Sequence, residues 1–364
     1  MTNLRIPGPT PCPDVILKEM SRQMINHRGP EFAQILNEVT SNLKKVFQTK
    51  NDIIILTASG TGGMEAAIVN MLSPGDKVLG VSIGVFGDRF ATIARTYGAE
   101  VIPVNFEWGK AADPDVIRKA LNDNPAVKAV LVTHNETSTG VTNDLAAISR
   151  VVKEFDKLLL VDAVSSMSSI NFPVDEWDCD VVVSGSQKGW MVPPGLAMLS
   201  VSEKAWKANT EAKMPRFYFD LAKAKSNLEK GQTPWTPAIS VVFAMQKALQ
   251  MMLEEGLDNI FARHIRVADM TRKGVKALGL QLFADEKYAS NTVTSILAPE
   301  GLDVKKLLKI LREEHDIVLG GGQMQLSGKI FRIGHLGYVS ENDIKEVLNK
   351  LKVVLPQAGF EVKK

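Results

Sequence analysis

Short apolar runs alternate with amphipathic stretches between residues 50 and 201 of the chain. The apolar runs predict strands at residues 52–56, 77–83, 101–106, 127–133, 158–161, 180–183 and 196–201. The stretches between them predict helices at residues 62–72, 89–97, 114–121 and 145–155. Runs of β-branched residues that are separated by helices indicate a parallel sheet buried on both faces. We therefore expect an α/β fold in which helices cover a mostly parallel, seven-stranded sheet.

The pattern changes after residue 205. Residues 205–230 are polar without a strong period, and long apolar helices are predicted at residues 239–254 and 257–278. A strand, a helix, two strands and a helix follow, at residues 292–297, 304–313, 317–319, 330–333 and 341–353. This mixture predicts a smaller C-terminal α+β unit. We expect an N-terminal arm (1–20), a large domain (21–256) and a small C-terminal domain (257–364).

Composition narrows the class of protein. The 364 residues include 43 basic and 41 acidic side chains, so neither a nucleic acid nor an anionic membrane is an expected partner. Cys12 and Cys179 are too few for a disulfide framework or a four-cysteine zinc site, and the five histidines have no metal-ligand spacing. No apolar stretch approaches the roughly 20 residues of a membrane helix, and the N-terminus lacks the apolar core of a signal peptide. We expect a cytoplasmic enzyme without a metal.

Two side chains that suit one cofactor follow neighbouring predicted strands. Lys188 lies among small residues in SGSQKG (184–189), and Asp162 ends the run LLLVD (158–162). A desolvated lysine can form a Schiff base, and a fixed carboxylate can keep a ring nitrogen protonated. Together they suit pyridoxal phosphate, with Lys188 on its aldehyde and Asp162 on its pyridine nitrogen. The simpler alternatives are a solvated surface lysine and an aspartate that serves as a helix N-cap or turn residue.

Three further segments carry candidate chemistry. SGTGG (59–63) joins a strand to a helix and offers free N–H groups to a phosphate, unless it is an ordinary N-cap. A dinucleotide fingerprint is excluded because Glu65 stands where its last glycine belongs. HNETSTG (134–140) is crowded with hydroxyls and is either a polar loop or part of the same site. Arg332, at the end of a predicted strand, is either a structural ion pair or a binder of substrate carboxylate.

Taken together, these motifs resemble the class V aminotransferases of pyridoxal-phosphate fold type I, and among them the alanine–glyoxylate and serine–pyruvate branch. The resemblance covers nearly the whole chain. It rests on the ordered set PGPT (7–10), HRGPEF (27–32), SGTGGMEA (59–66), GVFGDR (84–89), HNETSTG (134–140), LLLVDAVSS (158–166), SGSQKGWMVPPGLA (184–197) and FRIGHLG (331–337). Any single motif is weak, whereas the ordered set is specific.

The resemblance implies a role for each matching residue. Lys188 would bind the cofactor aldehyde and later move the proton between the substrate Cα and C4′, while Asp162 would pair with the pyridinium nitrogen. Arg332 would bind the substrate carboxylate, and Gly8 would lie in the arm that covers the substrate. The implied phosphate contacts are Ser59, Gly60, Thr61, Gln187 and, lent by the partner subunit, Thr236; the implied ring contacts are Phe86, Val164 and the hydroxyl of Thr137.

The resemblance also implies a homodimer with shared active sites. It would move an amino group between alanine or serine and glyoxylate or pyruvate by a ping-pong mechanism. The lent segment GQTPWTP (231–237) lacks the Tyr of eukaryotic members, so an aspartate or broad-specificity aminotransferase stays an alternative. Arg28 and Arg216 are then the candidate cations for a second carboxylate. A cysteine desulfurase-like lyase fits less well, because Gln187 stands where its relatives commonly carry His. A non-catalytic scaffold would have no need for Lys188 beside Asp162.

Overall fold

The elements follow the predicted alternation of strands and helices. The structure is a computed structural model that describes residues 2–362. Its strands are β1 (Asn3–Arg5), β2 (Asp52–Ala58), β3 (Lys77–Ser82), β4 (Glu100–Asn105), β5 (Val127–Thr133), β6 (Asn135–Glu136), β7 (Val141–Thr142), β8 (Leu158–Asp162), β9 (Val181–Gly185), β10 (Gly195–Val201), β11 (Val293–Leu297), β12 (Ile317–Gly321) and β13 (Ile330–Gly334). Its α-helices are α1 (Asp14–Glu19), α2 (Pro30–Phe47), α3 (Gly60–Met71), α4 (Val85–Thr96), α5 (Pro114–Asp123), α6 (Leu145–Glu154), α7 (Glu203–Glu211), α8 (Leu221–Leu228), α9 (Ile239–Glu255), α10 (Leu257–Ala277), α11 (Val304–His315) and α12 (Glu341–Gln357).

The large sheet has the strand order β2-β10-β9-β8-β5-β3-β4. Strand β10 runs antiparallel to both of its neighbours, and the other pairs are parallel. The prediction of a mostly parallel, seven-stranded sheet is therefore confirmed. Successive side chains of a strand point to opposite faces, and here Leu159 and Leu160 join different apolar clusters. Because both faces are buried, the strands are apolar along their whole length, which is why the sequence pattern reveals them.

A second sheet has the order β1-β12-β13-β11 and packs against α10, α11 and α12. Strand β1 pairs in parallel with β12, and Asn3 lies opposite Ile317. The first residues of the predicted arm are therefore a strand of the C-terminal sheet. Gly256, with a φ of +84°, separates α9 from α10 at the predicted boundary of the large domain. The division into three parts stays a prediction.

Three differences from the predicted elements matter for the site. Helix α3 begins at Gly60 instead of residue 62, and α4 begins at Val85 instead of residue 89. Phe86 consequently lies in the first turn of a helix. The polar segment that showed no strong period contains the short helix α8 and most of α7, whose N-caps are Asp220 and Ser202. None of the helices between residues 2 and 362 is long and apolar enough to cross a membrane.

Candidate active site

A cavity of about 230 Å³ opens where strands β8 and β9 and the N-terminus of α3 meet the N-terminal arm. It is lined by Gly8, Pro9, Ser59, Gly60, Thr61, Met64, Phe86, Arg89, Asp162, Val164, Gln187, Lys188 and Pro194. Nine of the predicted site residues are in this set, and Thr137, Thr236 and Arg332 are not. A larger groove of about 620 Å³ lies between α1, α2 and α9 and contains none of the predicted residues.

Lys188 projects from the turn after β9 towards the N-terminal arm. Its Nζ donates a hydrogen bond to the Pro7 carbonyl at 2.6 Å. Thr10 fastens the arm to the same turn, because its Oγ1 donates to the Lys188 carbonyl at 2.8 Å and its N–H to the Gln187 carbonyl at 3.0 Å. Burial lowers the pKa of Lys188 to about 8, because a low-dielectric site disfavours the ammonium form. An appreciable fraction of this amine is therefore neutral and nucleophilic near neutral pH.

Asp162 occupies the last position of β8, beside Thr133 of β5 and Val183 of β9. One carboxylate oxygen accepts a hydrogen bond from the Val164 N–H at 2.9 Å, and the other accepts one from Thr133 Oγ1 at 3.3 Å. Burial raises the pKa of Asp162, and the positive charge of Lys188 opposes that effect. A turn begins at Val164 and no helix begins there, so Asp162 is not a helix N-cap, and its bond to the Val164 N–H is that of a turn residue.

The N-terminus of α3 faces the cavity through Ser59, Gly60 and Thr61. Ser59 is the N-cap residue but makes no side-chain capping hydrogen bond, which leaves the first N–H groups of the helix available. A Cβ at Gly60 would lie 2.6 Å from Val164 Cγ2, so the start of α3 is closely packed against the turn that follows β8. Gln187 Oε1 is buried without a hydrogen-bond partner in the described part of the chain. This end of the cavity therefore combines free donors with the positive end of a helix dipole.

Glu136 does not line the cavity but holds the first turn of α4, and the sequence reasoning missed this positioning role. Its Oε2 accepts hydrogen bonds from the N–H groups of Phe86 and Gly87 at 2.9 and 3.1 Å, and its Oε1 accepts one from Ser138 Oγ at 2.6 Å. Burial raises the pKa of Glu136 to about 7, and these donors oppose the effect. Helix α4 has Gly84 as its N-cap, a residue without a capping side chain. A helix with a glycine N-cap needs an acceptor from another segment, and this need is the signal that could have pointed to Glu136 in HNETSTG.

Arg89 is the second missed residue. It lines the cavity from α4, one turn after Phe86, and its guanidinium carbon lies 4.7 Å from the centre of the Phe86 ring. Its Nη1 donates a hydrogen bond to Thr61 Oγ1 at 3.2 Å. The sequence GVFGDR shows an aromatic residue and an arginine three positions apart. Both side chains lie on the same face of a helix, towards the cavity, only because α4 begins as early as Val85.

Arg332 lies on β13, in the C-terminal sheet, and is nearly buried. Its Nε donates to the Gly321 carbonyl at 2.9 Å and its Nη1 to the Thr137 carbonyl at 2.9 Å. Burial lowers the pKa of Arg332 to about 10, and the carboxylate of Glu136 opposes this effect. The structure thus joins Arg332 to the segment that follows β5 through the backbone of Thr137. The ion-pair alternative is not met, since no carboxylate among residues 2–362 pairs with it.

The segment 231–237 is held to its own chain by Arg28. Arg28 Nη1 donates to Gln232 Oε1 and to the Thr233 carbonyl, both at 2.9 Å. Thr236 of this segment is exposed and does not line the cavity of its own chain. Arg216 donates instead to backbone carbonyls, among them that of Val69 at 3.0 Å. Neither arginine therefore reaches the cavity of the chain that carries it.

The two cysteines lie outside the cavity lining, and burial raises the pKa of both thiols, that of Cys12 to about 11. Between residues 2 and 362 there is no group of three or more His, Cys, Asp or Glu side chains that could hold a metal ion.

The amino-acid sequence is similar to those of known proteins over nearly its whole length. The model of the aminotransferase class-V family matches residues 5–347. The chain is 46% identical over 361 residues to the soluble hydrogenase 42 kDa subunit of Anabaena cylindrica, covering 98% of this chain and 94% of the relative. It is 38% identical over 371 residues to the serine–glyoxylate aminotransferase of Methylorubrum extorquens, covering 99% and 92%.

Solved structures agree with these matches. The alanine–glyoxylate aminotransferase from Nostoc superposes with a TM-score of 0.94 at 31% identity, over 97% of this chain and 95% of that structure. A cysteine desulfurase from Thermococcus onnurineus is more distant, with a TM-score of 0.76 at 16% identity, and shares the fold alone.

Proposed function

Because the chain belongs to the class V aminotransferase family, we propose that it moves an amino group between a small amino acid, alanine or serine, and a 2-oxo acid, glyoxylate or pyruvate. The observation that carries the proposal is one cavity in which Lys188, Asp162 and the free N-terminus of α3 converge. The names of relatives support glyoxylate as the acceptor, since serine–glyoxylate and L-aspartate–glyoxylate aminotransferases are both 38% identical to the chain.

The residues present fit pyridoxal phosphate, the cofactor of this family. The N-terminus of α3 suits the phosphate because it offers unpaired N–H groups, and Gln187, which lines the same cavity, can donate an amide N–H through Nε2. Phe86 and Val164 line the cavity and suit the two faces of a ring. Asp162 suits a protonated ring nitrogen. When bound, the cofactor withdraws electrons from the substrate α-carbon.

Lys188 is the residue that we propose to bind the cofactor and to move protons. Its neutral form is the nucleophile, and the lowered pKa supplies that form near pH 8. In the described arrangement Nζ donates to the Pro7 carbonyl, so this amine must leave the arm when it reacts. With the substrate in place, the neutral Lys188 amine would take a proton from the substrate α-carbon and deliver it to C4′ of the cofactor, as a general base of matched pKa does.

Asp162 and Arg332 would orient the reacting groups. The Val164 N–H and Thr133 hydroxyl fix the Asp162 carboxylate at the end of β8, and its charge would keep a bound ring nitrogen protonated. Arg332 is anchored through Nε and Nη1 to two carbonyls. Its guanidinium would bind the substrate carboxylate and so hold the α-carbon in one orientation.

We further propose a homodimer in which Thr236 of the partner subunit completes the phosphate contacts. The support is that Thr236 is exposed on a segment that Arg28 holds in place. Thr236→Ala should weaken cofactor binding, and dilution below the dimer range should lower cofactor occupancy and activity together. A fully active monomer in analytical ultracentrifugation would contradict the shared site.

The experiment that tests the function is a donor–acceptor grid on the purified holoenzyme. Alanine, serine and aspartate are each paired with glyoxylate, pyruvate and 2-oxoglutarate, and the new amino acid is quantified. We expect the highest kcat/KM for alanine or serine with glyoxylate or pyruvate. A preference for aspartate would support the broader alternative, and the absence of transfer in every pair would refute the proposal.

A further inference from the structure

Among the described residues that line the cavity, Arg89 is the one cationic side chain besides Lys188, and the proposed reaction gives it no task. It is half-buried, and no ion pair within residues 2–362 includes it. A guanidinium inside a cavity normally has an anionic partner, because an unpaired charge is costly away from water. Its charge acts at a distance on the Asp162 carboxylate of the same cavity, but no salt bridge joins the two, so a directly bonded counter-ion is to be sought in what the cavity binds.

Two contacts fix the direction in which Arg89 points. Its guanidinium lies over the Phe86 ring at 4.7 Å, a cation–π contact that limits side-chain rotation. Its Nη1 donates to Thr61 Oγ1 at 3.2 Å, which brings the positive charge to the first turn of α3. The charge thus lies at the end of the cavity where the helix N–H groups are free.

The hydrogen bond to Thr61 also orients the hydroxyl. Because an arginine can only donate, Thr61 Oγ1 accepts in this contact, and its own hydrogen must point to another acceptor. Among the described residues Thr61 Oγ1 donates to no protein atom. A bound anion at the N-terminus of α3 would receive that hydrogen.

Charge balance favours a phosphate dianion over a carboxylate at this position. A helix N-terminus supplies about half a positive charge, whereas a phosphate monoester carries close to two negative charges at neutral pH. Lys188 already donates to the Pro7 carbonyl, and Arg332 already donates to the carbonyls of Gly321 and Thr137. Arg89 would supply most of the missing positive charge.

We propose that Arg89 recognises the phosphate group of the cofactor, directly through its guanidinium and through the Thr61 hydroxyl that it orients. This inference rests on the proposed cofactor site. It adds one residue to the phosphate contacts and explains why an arginine follows the ring-facing Phe86 by one helical turn.

The test compares two ligands that differ only in the phosphate. Apoenzymes of the wild type, Arg89→Gln and Arg89→Lys are titrated with pyridoxal phosphate and with pyridoxal, and uptake is followed by absorbance. Arg95→Gln is the matched control, because Arg95 lies on the same helix, is exposed, and loses the same charge. Inorganic phosphate is then tested as a competitor of pyridoxal phosphate uptake.

We expect Arg89→Gln to weaken pyridoxal phosphate binding by about tenfold or more, the size of one lost charge-assisted hydrogen bond, and to leave pyridoxal binding within about twofold. Arg89→Lys should lose less, because it keeps the charge, and inorganic phosphate should compete less well in Arg89→Gln than in the wild type. Arg95→Gln should match the wild type.

Equal losses for both ligands would overturn the inference, because they would show a structural role of Arg89 through Phe86. Unchanged affinity for both ligands in Arg89→Gln would overturn it as well. A wild-type apoenzyme that takes up neither ligand would instead refute the cofactor site, so the two failures are distinguishable. Retained pyridoxal binding also shows that a variant is folded.

Discussion

Gly8 is the position where a single added methyl group should disturb the site most. It has a φ of +130°, a region that side chains rarely adopt, and a Cβ there would lie 2.6 Å from Lys188 Nζ and 2.7 Å from its Cδ. Backbone strain of this kind costs about 1–3 kcal/mol. Overpacking against the lysine adds about 1–3 kcal/mol. Gly8→Ala should therefore displace either the arm or the Lys188 amine.

The strain and the contact can be separated by a matched control. Gly75 has a φ of +85°, and a Cβ added there would have no atom of the described chain within 4 Å, so Gly75→Ala adds a comparable backbone strain without a clash. Both variants should unfold at a lower temperature than the wild type. Only Gly8→Ala should slow cofactor uptake, because Gly8 lines the cavity and its added methyl group would occupy space beside the reacting end of Lys188.

The assay is the rate of pyridoxal phosphate uptake by apoenzyme, followed by kcat/KM of the reconstituted enzyme. A contact penalty of about 2 kcal/mol corresponds to roughly a thirtyfold loss in the population that keeps the described contact between the arm and Lys188. We expect losses of about tenfold or more in Gly8→Ala and near wild-type values in Gly75→Ala. Wild-type uptake and turnover in Gly8→Ala would refute the contact between arm and lysine.

The same geometry predicts the behaviour of Asp162, Arg332 and Lys188. Asp162→Asn should fold normally, since an amide can still accept from the Val164 N–H and donate to Thr133 Oγ1. Its kcat in steady-state assays should fall by about a hundredfold or more, because the negative charge is lost. Near wild-type turnover would contradict the role of Asp162. Arg332→Lys and Arg332→Ala should lower kcat/KM for amino and oxo substrates alike while cofactor absorbance is retained, and the loss of one substrate only would assign Arg332 to side-chain selectivity. The rate of cofactor uptake should rise with pH, with a midpoint near pH 8, because about one tenth of Lys188 is neutral at pH 7 and about nine tenths at pH 9. The rate is measured by stopped-flow absorbance. A midpoint near the ordinary lysine pKa of 10.5 would contradict the lowered pKa.

The strands and the residues at their ends could be predicted from the sequence. Strands buried on both faces leave continuous apolar runs, and Asp162 and Lys188 follow two such runs. The carboxyl ends of parallel strands meet at one edge, so their proximity follows from the topology. Strand β1 was not predictable, because three residues carry no period and the partner strand β12 is remote in sequence.

The missed residues depend on contacts between distant segments. Helix α4 begins at Val85, although Gly84 and Gly87 make the local helix propensity poor, because Ser138 and Glu136 from beyond β5 accept its first three N–H groups. A prediction that does not include that contact places the start of α4 too late, and it therefore misses the stacking of Arg89 on Phe86. Sequence reasoning finds residues at the ends of regular elements, and it loses those whose role is set by packing between elements.

Every step of the proposed transfer depends on Lys188 as the residue that carries the cofactor. The most direct measurement is reduction of the holoenzyme with borohydride, followed by proteolysis and mass spectrometry of the modified peptide. We expect one pyridoxyl-phosphate adduct per chain, on Lys188 within SGSQKG, and its loss when an amino donor is added before reduction. An adduct on another lysine, or none in an enzyme that transfers amino groups, would contradict it.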